Sequence, residues 1–309
     1  MTPRKQNAPR KRRSPPFGYF GSKHRIASEI CKQLPPHNAW VEVFCGSAAM
    51  TLAKPCAPIE VINDLDHNVV NLFDQLRNNT EELCRAVALT PYAREELSRA
   101  RTAASEAPLS ALERARIFLI ASMMAINGVF GDARGGFSYS QSYSRNGRDA
   151  RVNRWYNLPE RISAVVERLR NVRIENRDAC ELVAMFSQRP ATLLYVDPPY
   201  LADRKNGYNI DANNEKFHLD LLCTLLTAKC MILISGYRNE LYSSLLTTKT
   251  GWTTRSIATG TRDSLGRTHA RTEVLWMNEA FSRALSLGRV PIRLSAKEKR
   301  EGKLNPIRR

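Results

Sequence analysis

The sequence has no Cys-x-x-Cys pair and no histidine at ligand spacing beside any of its seven cysteines. That excludes a zinc ribbon and gives no pattern for a disulfide scaffold; scattered, reduced thiols in a cytosolic protein fit best. No apolar run is long enough to cross a bilayer, and the basic N-terminus leads into SPPFGYFGSK instead of an apolar signal segment, so neither a membrane span nor secretion is expected. There is no internal repeat and no long low-complexity tract. Acid is scarce: 30 Asp and Glu stand against 47 Lys and Arg, a formal charge of +17, which favours a polyanionic partner such as nucleic acid. The first fourteen residues hold six Lys/Arg and no acid, and residues 291–309 hold seven Lys/Arg against two Glu, so the two ends supply eleven of the seventeen charges. Flexible, solvated arms drawn to phosphate are expected there, with solubility alone as the bland alternative.

What is present is enough for a substantial core. At 309 residues and 43% apolar content the chain suits one large domain, or a catalytic domain carrying an insertion. A short helix is expected over 24–34, then a strand and turn in AWVEVFCGSAAM (39–50), then a strand at 59–62 with acids at its end and a helix at 66–77. Two strand–loop–helix units in succession imply a parallel sheet with helices on its faces. Residues 78–171 read differently, with helices near 80–88, 92–103 and 110–126, a loop-rich segment over 127–157, and a helix near 159–170. The sheet pattern resumes with a short strand before Asp178, then ATLLYVDPPY (191–200), CMILISGY, and later strands around WTTRSIAT and RTEVLWMN. Residues 78–171 therefore look inserted into an α/β domain.

In open α/β sheets ligands bind at the carboxyl ends of the strands. Four acids fall at such ends, Glu42, Asp64, Asp178 and Asp197, each of which taken singly is more often a helix cap or surface charge. The turn FCGSAA holds one glycine and so misses the GxGxxG fingerprint that brings pyrophosphate to the backbone, which points to a cofactor without phosphates. In YVDPPY (195–200), Pro198 and Pro199 cannot continue a sheet ladder and form a rigid loop that holds Asp197 and Tyr200 in fixed relation. Four specified residues of this kind arise by chance in on the order of one chain in a thousand of this length. Their chemistry suits an exocyclic amine such as adenine N6. Asp197 and the Pro198 carbonyl can accept its two N–H hydrogens and free its lone pair for attack on a methyl sulfonium, while Tyr200 stacks on the base.

Several stretches in order resemble the Dam-like (D12 class) adenine-specific DNA methyltransferase family: YFGSK (19–23), VEVFCGSAAM (41–50), INDLD (62–66), NRDACELV (176–183), YVDPPY, EKFHLDLL (215–222), ILISGY (232–237) and RTEVLWMN (271–278). The resemblance covers roughly 17–77 and 172–278. It implies a Rossmann-like S-adenosylmethionine-dependent methyltransferase sheet with an inserted, mostly helical target-recognition domain. By it, Tyr19, Lys23, Glu42, Phe44, Gly46, Asp64 and Asp178 contact S-adenosylmethionine, and Asp197, Pro198, Pro199 and Tyr200 carry the transfer. Ser22 and Ala48 stand where the family has glycine; a positive φ or close backbone approach at either would act against cofactor binding, but neither replacement adds a large side chain, so both are expected to be tolerated.

The expected layout is a basic tail (1–16), a catalytic domain (17–77 and 172–280), a target-recognition insertion (78–171) and a second basic tail (281–309). Because N6 is paired inside a duplex, double-stranded DNA as partner requires base flipping and a basic, aromatic surface; Arg134, Tyr143 and Arg148 in the 127–156 segment are the candidates. The alternatives are an RNA adenine methyltransferase and a catalytically silent DNA-binding protein of the same fold. No metal is suggested by any ligand spacing.

Overall fold

The computed structural model describes residues 15–19, 22–106, 108–126, 128, 136–139, 147–201, 214–262 and 268–290. Seven strands form one sheet: β1 (Ala39–Glu42), β2 (Ile59–Asn63), β3 (Val172–Glu175), β4 (Thr192–Val196), β5 (Met231–Gly236), β6 (Thr253–Arg262) and β7 (Thr268–Met277), in the order β3-β2-β1-β4-β5-β7-β6. Strands β1 to β5 are parallel. Strand β7 runs antiparallel to both β5 and β6, so the expected parallel sheet carries an antiparallel hairpin at one edge.

Around it lie α1 (Ala27–Cys31), α2 (Ala49–Ala53), α3 (His67–Asn78), α4 (Thr80–Leu89), α5 (Arg94–Glu106), α6 (Ala111–Met124), α7 (Ala150–Tyr156), α8 (Leu158–Leu169), α9 (Ala179–Ser187), α10 (Glu215–Leu226), α11 (Glu240–Leu245) and α12 (Glu279–Leu287). Successive strand residues point to opposite faces, and the buried runs divide accordingly. Trp40, Leu193, Tyr195, Met231, Leu233 and Leu275 pack with Ala27, Ile30, Met50 and Phe281 of the flanking helices. Val41, Leu194, Val196, Ile232, Ile234 and Trp276 pack with α9, α10 and α11 on the other face. Burying each such aliphatic side chain contributes about 1.5–3 kcal/mol, which is why these near-continuous apolar runs settle as central strands.

The described residues between α3 and β3 are mostly helical, and they share a core with the sheet. Val69, Leu72, Phe73 and Leu76 form a stripe along α3 at helical spacing, buried with Leu83 of α4, Leu119 of α6, Leu158 and Ile162 of α8, and with Phe17 and Ile62. A buried ionic tie reinforces this: Arg168 of α8 donates to Glu60 of β2 at 2.8 Å and to the Thr51 carbonyl at 2.8 Å, and Lys54 donates to the same Glu60 at 2.6 Å.

Three elements depart from expectation. The helix read over 24–34 is a 3-10 turn at Lys23–Arg25 followed by the five-residue α1. Helix α7 lies inside the segment read as loop. The Asp149 carboxylate accepts the Arg151 and Val152 amides at its start, and buried Trp155 donates its indole N–H to the Thr90 carbonyl at 2.8 Å. Helix α12, capped by Asn278, buries Phe281 and Ala284, so folded chain continues past 280 into the stretch read as tail.

Candidate active site

Strand order reverses between β1, whose chain continues to β2, and β4, whose chain continues to β5. At the carboxyl ends of these strands lies a cavity of about 870 Å³, counted to its open mouth. Its lining includes Tyr19, Lys23, Glu42, Phe44, Gly46, Asp64, Asp178, Asp197 and Pro199, so residues far apart in sequence are brought to one site.

The acids at the strand ends take different tasks. Glu42, at the end of β1, accepts the Met50 and Thr51 amides at 3.4 and 2.8 Å and the Thr51 hydroxyl, which commits it to the start of α2; burial pushes its carboxyl up to about 7. Asp64, after β2, accepts the Gly46 amide at 2.8 Å and the Asp66 amide at 3.0 Å, tying the two loops together; burial raises it to about 6. Asp178 caps α9 through the Cys180 and Glu181 amides. Asn63, overlooked in the sequence, staples three loops: its amide donates to the Val43 and Arg177 carbonyls at 3.0 and 3.1 Å and accepts the Arg177 amide at 2.9 Å.

Gly46 has φ 46°, and a Cβ there would lie 2.5 Å from the Tyr19 ring, so glycine alone lets Tyr19 close over the turn. Ala48 also sits in the left-handed region, with φ 52°, so the alanine that replaces glycine there is strained. Ser22 is not: its φ is −50°, and its hydroxyl lies 2.9 Å from that of Ser47, joining the N-terminal segment to the turn.

Asp197 differs from the other acids in having a cation. Lys23 donates from Nζ to Asp197 Oδ1 at 2.7 Å and to Tyr200 Oη at 2.6 Å, and lies 3.5 Å from Glu273 Oε1. Burial opposes the charge on Lys23, but the Asp197 carboxylate beside it holds the ammonium above its ordinary value. Burial likewise pushes Asp197 up, against the pull of Lys23. Below them, buried Tyr195 stacks on Trp40 and shares a 2.7 Å hydrogen bond with Ser235, which also bonds Asp197. Lys23 thus meets the Asp-Pro-Pro-Tyr loop directly, beyond lining the cavity.

Pro198, Pro199 and Tyr200 border a smaller adjoining cleft with His218, Gly236, Tyr237 and Trp276. The Tyr237 ring lies 4.5 Å from that of Tyr200, and the Arg271 guanidinium sits 5.7 Å from Tyr237. His218, also overlooked in the sequence, is buried; Nδ1 lies 2.8 Å from Tyr242 Oη, and the Pro199 carbonyl favours its proton. Burial nevertheless lowers its pKa to about 4, so the ring is neutral. Of the nucleic-acid candidates, Arg148 stacks 4.1 Å above the exposed Tyr156 ring, away from the cavity lining, while Arg134 and Tyr143 lie outside the described residues. Among the described residues no helix is long and apolar enough to cross a membrane.

A mixed seven-stranded sheet with an acid-lined cavity at its switch point, and a rigid Asp-Pro-Pro-Tyr loop at the cavity's edge, is consistent with a methyltransferase fold. The family described as D12 class N6 adenine-specific DNA methyltransferase matches residues 19–257, and the chain belongs to that family. No curated protein gives a significant match. Among solved structures, the chain is similar to a precorrin 8W decarboxylase of Methanobacterium thermoautotrophicum at 9% identity and a TM-score of 0.36, covering 86% of this chain and 95% of that one.

Proposed function

We propose that the protein transfers the methyl group of S-adenosylmethionine to adenine N6 in double-stranded DNA, with the target base turned out of the helix. The observation that carries this reading is the position of Asp197: it stands at the edge of the strand-end cavity, fixed by Lys23, within a loop whose two prolines hold it rigid. Among the described residues, the cavity's charged lining is five carboxylates (Glu42, Asp64, Asp66, Asp178, Asp197) and one cation, Lys23. Such a lining repels the phosphates of a dinucleotide and favours a cationic, phosphate-free ligand, and Phe44, Leu65 and Phe217 offer apolar surface for a purine. The residues therefore fit S-adenosylmethionine, which supplies an electrophilic methyl on a sulfonium. Asp64 would accept from ribose hydroxyls with the lone pairs its backbone bonds leave over, and Tyr19, packed over the Gly46 turn, would present its ring to the ligand.

At the acceptor, the Asp197 carboxylate and the Pro198 carbonyl take the two N–H bonds of the amine, so its lone pair is drawn out of conjugation and toward the methyl donor. Lys23 keeps Asp197 from rotating away. Tyr200 supplies the stacking face. Turning the base out of a duplex costs a few kcal/mol, recovered by stacking and by phosphate contacts of a strongly basic chain. Residues 78–171 are the proposed reader of the DNA site, with the exposed Arg148–Tyr156 stack as a cationic, aromatic contact within it.

The test is nucleoside mass spectrometry after incubating the protein and S-adenosylmethionine with unmethylated duplex DNA and, separately, with RNA. N6-methyladenine in the DNA that disappears with Asp197→Ala is the expected result. Product in RNA alone, or none in either alongside firm DNA binding, overturns it.

A further inference from the structure

Glu273 takes part in none of the roles above. It lies on β7, opposite Ile257 of β6, with 3% of its surface exposed. Its neighbours on the same face of the strand are Leu275 and Met277, both in the apolar layer against Trp40 and Phe281. A carboxylate in that row requires a partner. Lys23 is the one cation described beside it, at 3.5 Å, and Oε1 has no hydrogen-bond partner among the described residues. Among the described residues Lys23 is also the one cation on Asp197. One ammonium thus serves two buried carboxylates, and their proximity raises the affinity of the group for one further proton. The groups that act on Glu273 are Lys23 from the N-terminal turn and Asp197 from the loop after β4, and Glu273 in turn acts on Tyr195 and Tyr200. Burial, with the Asp197 charge against the pull of Lys23, brings the Glu273 carboxyl to about 7.

We propose that Glu273 is a positioning residue for the transfer, acting through Lys23: its carboxylate draws the ammonium partly off Asp197, so that Asp197 remains a strong acceptor for the amine hydrogen. This rests on the reading of Asp197 as that acceptor. With Glu273 ionised, Lys23 is divided between two anions. With Glu273 protonated, Lys23 belongs to Asp197 alone, its lone pairs are more tightly held, and the pull on the amine weakens. No covalent step is assigned to Glu273.

The experiment is the single-turnover rate of methyl transfer against pH, for the full chain with saturating S-adenosylmethionine and duplex DNA. The unaltered protein is expected to slow as pH falls through about 7, where Glu273 takes its proton. Glu273→Gln should lack that step: about tenfold slower than the unaltered protein at about pH 8, and nearly equal to it at about pH 6. Glu273→Asp keeps the charge and should keep the step with part of the rate restored. A purely structural glutamate predicts a deficit of the same size at every pH, and that result overturns the inference. So does the absence of any step near pH 7 in the unaltered protein, a measurement that needs no variant to fold. Asp197→Ala separates the two readings. If it retains transfer, the role of Asp197 is wrong; if it is inactive but the unaltered protein shows no step near pH 7, the role of Glu273 alone is.

Discussion

Two buried ionic clusters sit at opposite ends of the same sheet, and they are built with opposite charge balance. Near the amino end of β2, Glu60 is held by two cations, Lys54 and Arg168, and accepts the Ala57 amide at 3.0 Å as well. Despite burial, these partners keep its carboxyl below the ordinary value. At the carboxyl ends, Lys23 is the one cation among the described residues that faces Asp197 and Glu273, and burial raises both acids. The cation-rich cluster keeps its anion permanently charged and ties α8 and α2 to the sheet. The cation-poor cluster leaves both acids raised, Glu273 to about 7. A buried ion cluster serves architecture when its carboxylate is fully partnered, and chemistry when it is not.

The largest effect expected is at the cation-poor end. Asp197→Ala should reduce methyl transfer about a thousandfold or more, because it removes the acceptor that draws out the amine lone pair. Its melting temperature should change far less than its rate. The counterpart at the other end is Glu60→Gln, which leaves Lys54 and Arg168 buried without their anion and should cost about 3–5 kcal/mol in denaturant unfolding. If Glu60→Gln instead proved harmless while Asp197→Ala unfolded the protein, the contrast between the clusters would be wrong.

Smaller effects refine the picture at the cofactor turn. Gly46→Ala places a methyl against the Tyr19 ring at a positive φ, a strain of about 1–3 kcal/mol, and should weaken or abolish the rise in melting temperature produced by S-adenosylhomocysteine. The pH dependence of stability gives a further check. Glu42 is raised to about 7 when folded, above its unfolded value of about 4.5, so the folded state binds its proton more tightly and gains stability as pH falls through that window. Glu42→Gln should therefore lose melting temperature relative to the unaltered protein as the pH is lowered from about 7 to about 4.5. Ala48→Gly, which relieves a left-handed alanine, should stabilise by only about 0.5–1 kcal/mol in the same denaturant assay.

Much of the strand-end site was legible because its signals are local. The prolines of YVDPPY stop a strand wherever they occur, and the apolar runs of β4 and β5 mark central strands by their length alone. Helix α7 was not legible, since RDARVNRWY is polar and gains its place from one anchor, Trp155, whose partner is the Thr90 carbonyl. Glu273 left a faint mark: a single acid in the row that also carries Leu275 and Met277, where a half-buried strand should be apolar. Its meaning depends on Lys23, 250 residues earlier in the chain.

By itself the sequence determined the α/β class, the strand-end acids, the rigid loop and the basic character of the chain, because each follows from backbone chemistry or residue type within a few positions. Only the tertiary structure decided what each acid does. Glu42 and Asp178 became caps, Asp64 a tie between loops, and Asp197 half of an ion pair, because the task of a carboxylate is set by which amides and cations the fold places within about 3 Å of it, and those come from distant segments.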